Sequence, residues 1–72
     1  MDQPIFCRIK VKGHLDDAWA GWFEGLVISN NPDGTATLSG HLPDQAALYG
    51  VLNRISNLGL ALISVNAAPE DD

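Results

Sequence analysis

The stretch IFCRIKVK, residues 5–12, alternates without a break. Successive side chains of an extended chain point to opposite faces. Ile5, Cys7, Ile9 and Val11 therefore fall on one side, and Phe6, Arg8, Lys10 and Lys12 on the other. That period is the signature of a half-buried strand. It calls for a sheet with one covered face and one face that carries cations. With only 72 residues in the chain, there is material for one core and one domain. The domain is expected over residues 1–66, with the acidic stretch 67–72 as a frayed tail.

The remaining segments can be placed by the same logic. After the tripeptide Gly13-His14-Leu15, Asp17 and Gly25 bracket a short helix of about two turns, the first as N-cap and the second as the residue after the helix. Gly21 weakens that helix. LVIS is a short strand, and NNPDGT a tight turn in which Pro32 presets φ and Gly34 takes a positive φ. TATLSG pairs back as the second arm of a hairpin. A longer helix then runs from its cap Asp44 to Gly59, with Leu48, Val51, Leu52, Ile55 and Leu58 as one apolar stripe. LALISV is a last strand, apolar on both faces, Leu60 and Leu62 on one side and Ala61, Ile63 and Val65 on the other.

The two halves share a plan. Each has a strand, Gly-His-Leu, one residue, an aspartate, a helix, Gly-Leu, and a strand containing Ile-Ser. A repeated strand–helix–strand predicts an α+β chain of the ferredoxin-like type, βαββαβ with an antiparallel sheet. The parallel crossover in its first half needs about a dozen residues, which the first helix barely supplies. If that helix is only a turn, the alternative is a β-meander followed by a helix and a strand.

The chemistry that the sequence allows is narrow. His14 and His41 would close strands at opposite ends of such a sheet, on the order of 20 Å apart at ~3.3 Å per strand residue. One metal cannot bind both, and a zinc site wants three or four close ligands. Gly-His-Leu then serves as a strand-to-helix corner. Cys7, the one cysteine, sits mid-strand on the apolar face, so it reads as a buried structural residue, and no disulfide is expected. Asp16 and Asp17 are explained by capping and the helix dipole, and Glu24 finds no partner set. There is no phosphate loop, dinucleotide fingerprint or nucleophile–base pair. No catalytic residue, cofactor or metal is assigned, and an enzyme is not expected.

No apolar run approaches the ~20 residues that cross a bilayer, and the start of the chain does not read as a signal peptide. A cytoplasmic protein without membrane attachment is the expectation. The net charge of −5 disfavours nucleic acid. Arg8, Lys10 and Lys12, three of the four basic residues, nonetheless form a row with Phe6 on the open face, opposite Thr35, Thr37 and Ser39. That face is either a solvated surface screened by the tail acids Glu70, Asp71 and Asp72, or a site for an anion or a partner. It is similar in outline to RNA-recognition domains, which place stacking aromatics on two central strands, but the third strand here offers none.

Two further surfaces point to association. Trp19, Trp22 and Phe23 share one side of a short helix and read first as core, but two turns cannot bury all three rings, which leaves one as an anchor for a partner. The last strand, with Leu60 and Leu62, would be an edge with apolar side chains on both faces, a liability unless it is covered. A homodimer through that edge or the open face is expected, and a larger protein is a further candidate partner. A non-catalytic, self-associating interaction module follows. The alternative is an ACT-like regulatory domain that holds a small anionic ligand near Arg8, Lys10 and Lys12.

The segments WFEGLVI, DGTATLSGHL and DQAALYGVLNRISNLGLALISV together resemble a family of small bacterial proteins of about this length. The resemblance spans Trp19 to Val65 and is most specific from Asp44 to Leu48, followed by Gly50. It implies a genuine domain and brings no activity. Gln45 and Tyr49 fall on the polar side of the helix, and Gly50 would mark the close approach of another backbone.

Overall fold

The computed structural model describes residues 4–16, 18–19, 23 and 26–69. Four strands form one sheet: β1 (Ile5–Lys12), β2 (Val27–Asn30), β3 (Thr35–Leu42) and β4 (Leu62–Pro69). One helix, α1 (Gln45–Asn57), joins β3 to β4. The strand order is β2-β3-β1-β4, and every neighbouring pair is antiparallel. β3 and β4 both run opposite to β1, so they are parallel to each other, and the path through α1 crosses over β1 between them.

The chain is thus α+β with a four-stranded antiparallel sheet. The expected βαββαβ order is not matched, because the helix between β3 and β4 has no counterpart between β1 and β2 among the described residues. Ala18, Trp19 and Phe23 are 3₁₀ turns. Trp19 N–H donates to the Asp16 carbonyl and Leu26 N–H to that of Phe23, both at 3.0 Å and both three residues back. Asp17, Gly21, Trp22, Glu24 and Gly25 lie outside the described residues. The meander does not form either, since β1 pairs with β3 and not with β2. Two expected placements hold: the first and third strands are antiparallel neighbours, and the last strand is an edge.

The alternation of β1 resolves as its residues dictate. Cys7, Ile9 and Val11 are fully buried with Ala36, Leu38 and Leu42 of β3 beneath α1. The helix contributes Leu48, Val51 and Ile55, with Leu52 and Leu58 packed at the margin. Asp44 caps it as expected, its carboxylate accepting from Ala47 N–H at 2.9 Å. Gly59 ends it at φ +75°, a region that L side chains rarely enter. Leu15, Phe23 and Leu26, from between β1 and β2, complete the core.

Candidate functional site: the open face and the free edge

Among the described residues, no helix lies on the second face of the sheet. The register of β1 against β3 sets Phe6 opposite His41, Arg8 opposite Ser39, Lys10 opposite Thr37 and Lys12 opposite Thr35. On the other side β4 brings Ala68, Asn66 and Ser64 opposite Phe6, Arg8 and Lys10. Residues directly opposite share a face. This surface therefore combines a basic row with hydroxyls and an amide. None of the four strands contains an aspartate or glutamate.

The lower end of the row is tied down. Lys10 Nζ lies 3.6 Å from Asp33 Oδ2. Asp33 also accepts from the hydroxyl and the backbone N–H of Thr35. The hydroxyl bond first, with the Thr35 N–H and Lys10, outweighs desolvation and holds the Asp33 carboxyl below the usual range. Asn31 donates to the hydroxyls of Thr35 and Thr37 at 3.0 and 2.9 Å. The upper end is freer. Arg8 makes no ion pair or hydrogen bond with the described residues, and Phe6 keeps 38% of its surface exposed. The Phe6 ring meets His41 edge to face, centroids 5.1 Å apart at 67°. Phe6, Arg8, Asn66, Ala67 and Ala68 line a shallow groove of about 410 Å³.

The two Gly-His-Leu copies occupy different places. His14 follows β1, and its Nε2–H donates to the Asn31 carbonyl at 2.8 Å, tying the β1 exit to the β2–β3 turn. His41 lies inside β3, beside Phe6. The second copy is therefore not a strand-to-helix corner. Its glycine serves packing instead: a Cβ on Gly40 would stand 3.0 Å from Leu26 Cδ2, at φ +152°. Sequence reasoning missed His41 as the aromatic that the third strand supplies; the signal was its place two, four and six residues beyond Ser39, Thr37 and Thr35. Among the described residues, no group of three or more His, Cys, Asp and Glu side chains comes together to hold a metal. Burial pushes the Cys7 thiol up, which keeps it protonated and a poor nucleophile.

The expected interface residues separate. Phe23 is fully buried in the core cluster and offers nothing to a partner. Trp19 and Leu60 are half-buried against the core. Trp22 lies outside the described residues. Leu62 is 48% exposed. A register shift between Lys10 and Val11 changes the expected facing of the last strand. It leaves Ile63 unpaired and sets Leu62 and Val65 opposite Val11 and Ile9, on the core side of the sheet. The helix does not reach over them. Ile63 stays 51% and Val65 36% exposed. β4 also runs to Pro69, past the expected boundary at residue 66, since Ala67 and Ala68 pair with Cys7 and Phe6.

Fold and site define a small α+β protein with a half-covered sheet, a basic open face and an uncharged free edge. The chain belongs to the family of a domain of unknown function, DUF8691, whose model matches residues 6–66. No curated protein and no solved structure matches it. No helix among the described residues is long and apolar enough to cross a membrane.

Proposed function

We propose that the chain is a non-catalytic interaction module that associates with a second copy of itself along β4. The observation that carries this reading is the character of the edge. β4 is an eight-residue strand with one neighbour, no charge, and exposed side chains on both faces. Sheet edges are ordinarily blunted by shortness, by lysine or by proline. The opposite edge, β2, is only four residues long. On β4 the blunting residue, Pro69, comes at the very end. Antiparallel pairing of two β4 strands is self-complementary, as a two-fold interface must be. It would satisfy the free backbone groups and bring Leu62 and Val65 of both copies together on the helix side.

Light scattering across a dilution series tests this, with Ile63→Lys and Leu62→Glu variants alongside. Both positions are exposed in the monomer, so circular dichroism should report an unchanged fold. A wild-type dimer that both variants split is the expected result. A wild-type monomer at high concentration overturns the reading and leaves the edge to a strand of a larger protein.

A second reading has an observation of its own. The groove beside Arg8 and the row it begins suit a small anionic ligand, as in an ACT-like regulatory domain. An edge-to-edge dimer would set the second copy beside the β4 wall of that groove, formed by Asn66, Ala67 and Ala68.

A further inference from the structure

We infer that the groove at the upper end of the open face is a binding site for a nucleotide, its base on Phe6 and its phosphate on Arg8. The inference rests on the second reading, that this face holds an anion, and narrows the ligand. Three features of the groove do the narrowing. The first is an aromatic surface next to a guanidinium. Phe6 is braced by His41 on the neighbouring central strand and stays partly exposed, so it offers a held ring for stacking. Arg8 is two residues along the same strand, on the same face, at a spacing of about 6.6 Å. Its planar fork matches two phosphate oxygens at once, and no described carboxylate competes for it.

The second feature is the pair of residues that flank Arg8. Asn66 and Ser39 stand directly opposite it on β4 and β3. A carboxamide both donates and accepts, as the edge of a base requires, while a hydroxyl suits phosphate or ribose. The third is size. A groove of about 410 Å³ falls within the roughly 300–1,000 Å³ of small-molecule sites, and Ala67 and Ala68 keep its β4 wall low. A simple carboxylic or phosphate anion would use Arg8 and leave Phe6 and Asn66 without a task.

The four strands contain no aspartate or glutamate, and three of the four basic residues of the chain lie on β1. Lys12 continues the row beyond Lys10 in the direction a chain of phosphates would follow. The nucleotide could therefore be free or part of a single strand, and the experiment separates the two.

The test is a titration of the ¹⁵N-labelled full chain, followed by amide chemical shifts, with AMP, inorganic pyrophosphate and an oligouridylate in parallel. AMP should move the amides of Phe6, Arg8, Ser39 and Asn66 and bind at least tenfold more tightly than pyrophosphate. Phe6→Ala should abolish that preference, and Arg8→Ala should weaken AMP about tenfold; both side chains are exposed, so an unchanged spectrum elsewhere verifies the fold. If the oligouridylate binds more tightly than AMP, steeply with falling salt, and Lys12→Ala weakens only the oligomer, the nucleotide is part of a strand. Equal affinities mean a free nucleotide. Equal binding of pyrophosphate and AMP overturns the inference and leaves the anion site. No shift with any of the three at millimolar concentration overturns both.

Discussion

Two glycines that look alike in sequence behave differently in three dimensions. Gly50 sits mid-helix, where the expectation was a close backbone neighbour; nothing lies within 4 Å of the Cβ it lacks. Gly50→Ala should therefore stabilise the protein by about 0.5–1 kcal/mol, the ordinary helix preference for alanine. Gly40→Ala should cost about 1–3 kcal/mol, because the new methyl meets Leu26 and the positive φ is strained. Urea midpoints of the two variants should move in opposite directions. Asp33 gives the residue scale a pH dependence. Its folded pKa is depressed by the Thr35 hydroxyl first and by Lys10 in addition. Its contribution is thus full above the ordinary carboxylate value near 4 and is lost as pH falls below it. Asp33→Asn should flatten the stability profile below about pH 4 and lower stability at pH 7, read by urea unfolding at both values. An unchanged slope in acid would remove Asp33 from the account.

Among the elements, the segment between β1 and β2 departs most from its expected form. The sequence spacing of Trp19, Trp22 and Phe23 is helical, yet the described part turns with three-residue hydrogen bonds. The reason is tertiary. The Asn30 side chain clamps Leu15 from both sides, its Oδ1 accepting from Leu15 N–H at 2.8 Å and its Nδ2 donating to the Leu15 carbonyl at 2.9 Å. Held there, the segment packs Leu15, Phe23 and Leu26 into the core. Phe23→Ala should accordingly cost about 3–5 kcal/mol, the usual range for a fully buried ring. Near-neutral stability in chemical denaturation would show that the segment is not part of the cooperative core. α1, in contrast, follows its sequence closely, from the Asp44 cap to the Gly59 stop, since cap, apolar stripe and stop agree with its packing and only Gly50 runs against them.

At the scale of the whole molecule, charge and apolar surface are sorted by face. The helix side holds the core, the open side holds the basic row, and β4 leaves Leu62, Ile63 and Val65 uncovered at the rim. A second copy would cover that rim and make stability depend on concentration. The wild-type thermal midpoint should rise with protein concentration, and that of Ile63→Lys should not. A concentration-independent wild-type midpoint would count against the dimer as firmly as a monomer mass.

Local physics made much of this protein legible in its sequence. Strict alternation in Ile5–Lys12 set one buried and one basic face, because side-chain direction in a strand follows from its pleat alone. The Asp44 cap and Gly59 stop, the Pro-Asp-Gly turn and the stripe of α1 were legible for the same reason: each depends on a few neighbouring residues. The repeat of Gly-His-Leu misled, because equal tripeptides do not imply equal surroundings. Only the tertiary structure decided that the segment after β1 turns where a helix was expected to begin, that His41 meets Phe6, and that a register shift turns Leu62 and Val65 toward the core side. Those outcomes depend on contacts between residues far apart in the chain, which no local pattern encodes.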